Sequence, residues 1–339
     1  MITLPSHILI SRTDSIGDVV LTLPLAKVLK DYFPKVCVSF LGKNYTKPII
    51  NCCRYVDEFI NVDDFLNYDN YSKLSRPDAI IHVFPSREIS NRAKQLKIPL
   101  RIGTTNRLYH WQSCNELVKL SRKNSQLHEA QLNLKLLKPL GIDRDFSLEE
   151  IETSFGLTNM QPLEKKFADL LNPNKYNLIL HPKSQGSGRE WGLENFIELI
   201  RLLDKNRFKI FISGTAKEQP ALQPLFSEVG HWVTDTTGKM PLSQFISFIN
   251  QCDGLVASST GPIHVAAALG KDAFGLYPPI PPVHPFRWKP VGIKSQVFVL
   301  QKDCNDCRNN PLACSCMHLI KPAWIKEALE KVQLDKFSL

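Results

Sequence analysis

No run of apolar residues in the chain is long enough to cross a bilayer, and the N-terminus lacks the charged region, apolar stretch and small-residue cleavage site of a secretory signal. A cytosolic location is therefore expected. Two further absences are chemical. The strand-like segment 7–12 runs into RTDSIGD and not into G-x-G-x-x-G, which argues against dinucleotide-dependent dehydrogenase chemistry. No Asp-x-Asp pair stands at a strand end, so a divalent metal held by such a pair is not expected. Nine cysteines in 339 residues are too irregularly spaced for an extracellular disulfide framework. The formal charge of +9 comes with no nucleic-acid recognition motif, so nucleic acid is not the expected partner.

What is present is an alternation of short apolar runs with helical patterns, the signature of parallel α/β sheets. At 339 residues the chain exceeds what one core normally organises, and two domains follow. The pattern predicts strands at 7–12, 36–41, 56–60, 78–83 and 99–103, with helices beginning near 17, 44, 86 and 128. A polar, proline-punctuated stretch at 156–175 reads as a connector. The rhythm then restarts with strands at 177–181, 208–213, 254–258 and 273–277 and helices near 193, 217, 241 and 262. The expected organisation is a first domain over 1–155, a linker over 156–175, a second domain over 176–321, and a C-terminal segment over 322–339 whose helix packs back on the first domain.

The most informative segment is GLVASSTGPIHVAAALG at 254–270, an apolar strand, a small-residue turn and an Ala-rich helix opening at Thr260, Gly261 and Pro262. Such a turn aims backbone N–H groups and the positive end of a helix dipole at one point, a seat for phosphate. A second strand-turn-helix, HILISRTDSIGDVVLTLPLAKVL, brings Gly17 and Asp18 to a helix start. With LHPKSQGSGREWGLENF at 180–196, SGTAKEQ at 213–219 and GKMPLSQF at 238–245, these segments resemble glycosyltransferase family 9, the heptosyltransferases that build the lipopolysaccharide core from ADP-heptose. RIGTTNRLYHW at 101–111 and SRKNSQLHEAQLN at 121–133 are similar to its heptosyltransferase branch.

The resemblance implies an α/β fold of GT-B type, two Rossmann-like parallel-sheet domains facing a central cleft, and an inverting transfer in which Asp18 takes the acceptor hydroxyl's proton. Asp14, nearer the strand end, is the rival base. For the donor it implies phosphate contacts from Ser184, Ser187, Arg189, Ser259, Thr260 and Gly261, ribose contacts from Glu218, an apolar adenine edge from Met240 and Leu242, and a sugar or pyrophosphate contact from His264. No cofactor is required beyond the donor substrate ADP-heptose. Ser259 departs from the family, where an acidic residue or Asn is expected before Thr-Gly, and this leaves the sugar open. Another nucleotide-sugar transferase or epimerase of the same shape, or an inactive nucleotide-binding homologue, are the alternatives.

Between His82 and Lys138 eleven basic residues stand against three acidic ones, which accounts for nearly all of the net charge. A cluster of this kind suits an anionic, lipid-linked core oligosaccharide at the inner face of the inner membrane, to which the protein would be peripheral. Arg107, His110, Arg122, Lys123 and His128 are the acceptor candidates, with Tyr109, Trp111, Glu129, Gln131 and Asn133 beside them. Cys304, Cys307, Cys314 and Cys316 in KDCNDCRNNPLACSCMH offer four soft ligands. The six-residue gap between the pairs would force a very tight loop round an ion, so no metal is assigned. They are read as reduced, partly buried thiols pinning the C-terminal helix.

Overall fold

Strand β1 (His7–Ser11, HILIS) is buried along its whole length, as a strand must be at the centre of a parallel sheet covered on both faces. Around it lie β2 (Cys37–Gly42), β3 (Glu58–Asn61), β4 (Ala79–His82), β5 (Leu100–Thr104) and β6 (Glu116–Val118), all parallel, in the order β3-β2-β1-β4-β5-β6. The second sheet holds β7 (Tyr176–His181), β8 (Phe208–Ile212), β9 (Val233–Asp235), β10 (Gly254–Ser258), β11 (Asp272–Tyr277) and β12 (Ser295–Val299), again all parallel, in the order β12-β11-β10-β7-β8-β9. Numbered from its own first strand, each sheet has the same doubly wound order. This computed structural model describes residues 5–67, 76–122, 125–186, 188–281, 283–302, 304 and 314–337.

The chain divides into Met1–Met160 and Gln161–Leu339. The boundary falls inside the expected connector, whose two ends are held by different units. Arg54 donates to the Gly156 carbonyl (2.9 Å) and Thr158 to that of Cys52 (3.0 Å), whereas Glu164 donates to Gln244 (2.8 Å) and Ser247 to the Gln161 carbonyl (2.6 Å). The C-terminal helix, Pro322–Phe337, belongs to the second unit. Ile325 and Leu329 enter the same core as Trp191, Phe196, Leu199 and Leu222, and Lys336 pairs with Asp253 (2.7 Å). Those two buried residues, one turn apart, fix the helix to the core of its own unit. β6, β9 and β12, which the pattern did not predict, are edge strands, and β9 and β12 are only half-buried.

In each sheet the direction of winding reverses beside the first strand, between β1 and β4 and between β7 and β10. Ligands of such sheets bind outside the carboxyl ends of the strands at that reversal. The loops there are Arg12–Asp18 and His82–Ser86 in the first unit, and His181–Glu190 and Ser258–Gly261 in the second.

Candidate functional site

In the first unit the loop leaving β1 carries a buried guanidinium. Arg12, 3% exposed, meets three carboxylates: Asp14 (2.7 Å), Asp18, and Glu129 (3.2 Å). Burial alone would lower the arginine's pKa, but the three negative charges outweigh it and the pKa is raised. Asp18 stands in the first turn of the Ile16–Val20 helix, a position that favours negative charge. Its Oδ1 faces Arg12 and its Oδ2 accepts from the Ser15 hydroxyl (2.5 Å). Asp14 is pushed up to about 6, because burial and the neighbouring Asp18 charge outweigh Arg12.

In the second unit the loop after β7 folds back on itself. The Ser184 hydroxyl donates to the Gly188 carbonyl (3.0 Å), and the Ser184 N–H donates to Glu190 (3.1 Å). Lys183 also pairs with Glu190. Gly188 lies so close to the neighbouring turn that a Cβ there would meet the Ser259 carbonyl oxygen at 2.8 Å; only glycine lets these two loops touch. Thr260 is the N-cap of the Gly261–Ala268 helix, with Pro262 in its first turn and no side-chain cap. The buried Ser258 and Thr260 hydroxyls and His264 Nδ1 have no hydrogen-bond partner among the described residues. Buried polar atoms are normally satisfied, so these three mark a place where a polar ligand would complete the bonding. His264 and His181 are both pushed down to about 4 by burial, and each is neutral at pH 7.

Glu218 caps the turn after β8, where its Oε2 accepts from Thr215 N–H (2.7 Å) and hydroxyl (2.9 Å). The buried Thr237 hydroxyl, without a partner among the described residues, lies beside it across Gly214. Met240 and Leu242 are half-buried at the start of the Leu242–Gln251 helix. Arg189 is half-buried on the β7 loop. Ser259 lies near the Tyr277 hydroxyl, which donates to the Trp288 carbonyl (2.6 Å). Ser187, Lys123 and Cys307 lie outside the described residues.

The acceptor candidates divide. Arg107 is exposed on the loop after β5 beside Leu108 and Trp111, which are 87% and 61% exposed. His110 is fully buried, its Nδ1 accepting from Thr104 N–H (2.9 Å). His128 is buried too and caps the Glu129–Leu134 helix. Both rings accept a backbone N–H, so these two of the acceptor candidates hold the fold locally. Arg122 pairs with Glu129 (2.9 Å), Asn133 (3.0 Å) and the Val83 carbonyl (3.2 Å). Of the basic segment, Arg92 is buried and the half-buried Arg101 binds the Ser113 carbonyl (2.7 Å), whereas Arg87, Lys94, Lys97, Arg107, Lys119 and Lys138 are exposed.

Cys304, Cys314 and Cys316 are buried in the second unit's apolar core with Met317, Ile320 and Ile325. Among the described residues no group of three or more His, Cys, Asp or Glu side chains is arranged to hold a metal ion. The sequence reading passed over Arg12 and placed Glu129 beside the acceptor candidates; the structure brings the two together with Asp14 and Asp18. The available signal was an arginine inside a strand-to-helix turn already bearing two carboxylates.

Two doubly wound parallel sheets, with a carboxylate at one winding reversal and unsatisfied hydroxyls at a helix N-terminus on the other, define a GT-B glycosyltransferase. The sequence profile of Glycosyltransferase family 9 (heptosyltransferase) matches residues 90–318, and the chain belongs to that family. It is 22% identical to the lipopolysaccharide core heptosyltransferase OpsX of Haemophilus influenzae, over 80% of this chain and 79% of that one. A family 9 glycosyl transferase from Veillonella parvula superposes with a TM-score of 0.79 at 18% identity, covering 97% of each chain. The ADP-heptose lps heptosyltransferase II of E. coli does so with a TM-score of 0.74 at 18% identity, over 97% of this chain and 99% of that one. No described helix is long and apolar enough to cross a membrane.

Proposed function

We propose that this enzyme transfers heptose from ADP-heptose to the lipopolysaccharide inner core with inversion at the anomeric carbon. The observation that carries the reading is the placement of Asp18, a carboxylate in a helix first turn at the carboxyl edge of β1, beside the winding reversal of its sheet. The acceptor oxygen forms its bond to the anomeric carbon as the bond to the diphosphate breaks. The hydroxyl proton passes to Asp18, and the departing ADP keeps the bonding pair. The second unit supports departure with Thr260, the Gly261 helix start and Arg189, which stabilise the charge developing on the phosphate. Glu218, Met240 and Leu242 take the nucleoside. Incubation with ADP-heptose and truncated core glycolipids, followed by mass spectrometry, is expected to show a single added heptose; no addition to any core acceptor overturns the reading.

Charge neutralisation in this scheme comes from protein groups. EDTA in excess is therefore expected to leave most activity intact, and complete loss restored only by Mg or Mn would overturn the leaving-group chemistry. Ser259 favours a second reading, a different nucleotide sugar. Where an acidic residue or Asn is expected, Ser259 carries a hydroxyl and brings no charge to the sugar. A panel of nucleotide sugars with product analysis decides between the two donors.

The exposed Leu108 and Trp111, flanked by Arg107, fit a peripheral location on an anionic bilayer, where aromatic and basic side chains settle at the headgroup level. Cosedimentation with phosphatidylglycerol vesicles is expected, and pure phosphatidylcholine vesicles should retain little. Changing Leu108 and Trp111 together to Ser should weaken vesicle binding several-fold while leaving the melting temperature unchanged. Equal binding by the double variant removes this loop from membrane contact.

A further inference from the structure

We propose that Arg12 is a positioning residue for Asp18 and that Glu129 is the counter-charge fixing Arg12, so that the Glu129–Leu134 helix sets both the aim and the basicity of the proton acceptor. The proposal rests on the reading of Asp18 given above. That helix reaches Asp18 by two separate routes. Along the first, Glu129 (1% exposed) pairs with Arg12, and Arg12 pairs with Asp18 Oδ1. Along the second, Asn133 donates to the Leu21 carbonyl (3.1 Å) and the Thr22 hydroxyl (3.3 Å), and that hydroxyl donates to the Asp18 carbonyl (2.8 Å). Side chain and backbone of one carboxylate are thus held from one helix, which His128 caps and Arg122 anchors through Glu129.

A buried ion cluster of this kind is a poor way to gain stability, because an apolar substitute of similar volume commonly does as well. What it does supply is direction. With Oδ1 engaged by the buried guanidinium, Oδ2 is the oxygen that would take the proton, since its one partner is the hydroxyl of the exposed Ser15 (2.5 Å), which a substrate hydroxyl can displace. The charged and titratable groups around it are few. Arg12 and Asp14 belong to the same loop, Glu129 and Arg122 stand behind, and the Tyr45 hydroxyl reaches the Asp14 carbonyl. Reaction geometry tolerates little error, since a misplacement of about 1 Å can cost about 10²-fold.

The test is charge-specific. Glu129→Gln keeps the shape and removes a negative charge behind Arg12; kcat should fall about tenfold with donor KM unchanged, and the acidic limb of the kcat profile should move to lower pH. Arg12→Met removes the cation, so the limb should move to higher pH, and Arg12→Lys should restore its position in part. A merely structural cluster would lower the melting temperature without opposite shifts of the limb. In an Asp18→Asn background, Glu129→Gln should cost little further turnover. If Asp18→Asn abolishes turnover but neither Glu129→Gln nor Arg12→Lys moves the limb, this proposal fails alone. If Asp18→Asn turns over normally, the base assignment fails first. Should Arg12→Met not fold, Arg12→Lys and Glu129→Gln decide the matter, because each keeps most of the packing.

Discussion

Asp18→Asn and Asp18→Ala are expected to lower kcat by about 10² or more, the scale of a lost general base. Dissociation constants for ADP should change little, since the nucleotide groups assigned here all belong to the second unit. The folded state should survive the change, because Arg12 keeps Asp14 and Glu129 as partners and no buried charge is left alone. Asp14 is the control. Its pKa of about 6 gives it the strength a general base needs near neutrality, so geometry and basicity favour different carboxylates. The expected result is a loss under tenfold for Asp14→Asn, from the disturbed charge balance at Arg12. A hundredfold loss there, with normal turnover in both Asp18 variants, would exchange the two roles.

The sequence shows most of the fold because its central strands are buried on both faces, as in HILIS and GLVAS, and such runs have few other uses. Edge strands carry a different pattern. SQVFV at Ser295–Val299 is half-buried throughout, and ELV and VTD span three residues each, too short for periodicity to show. The strand-turn-helix at 254–270 was legible for a similar reason: its backbone geometry depends on Gly and Pro, which mark their positions in the chain. Charge was harder to read. A basic residue looks alike in sequence whether it faces solvent, as Arg107 and Lys138 do, or engages groups of the fold, as Arg101 and Arg122 do. The same holds for His110 and His128, since a ring nitrogen that binds a ligand and one that binds a backbone amide are identical in sequence. The partnership of Arg12 with Glu129 spans 117 residues and has no local trace at all.

Acid should unfold the protein at a pH where many cytosolic enzymes are still folded. His82 is pushed down to about 3, and His181 and His264 to about 4, in each case chiefly by burial. Free in the unfolded chain, a histidine takes up its proton near pH 6.5. Below that value the unfolded state therefore binds protons the native state refuses, and stability falls with pH until the native pKa is reached. Asp14 works the other way. Its native value near 6 lies above the ordinary 3.8, so between those limits the folded form binds the extra proton and gains stability on acidification. Between pH 7 and pH 5 the second unit loses about 3–4 kcal/mol through His181 and His264, a large fraction of the stability of an ordinary domain, while in the first unit the loss at His82 is largely offset by the gain at Asp14. Urea midpoints followed at pH 7.5, 6.0 and 5.0 should fall steeply for the transition belonging to the second unit. His82→Leu should make the first unit's transition gain stability over the same range, because both ring nitrogens of His82 are buried without a hydrogen-bond partner among the described residues and the gain at Asp14 is then unopposed. A second-unit midpoint that stays constant from pH 7.5 to pH 5.0 would show that His181 and His264 reach water or a partner in solution, and the acid sensitivity argued from their burial would be withdrawn.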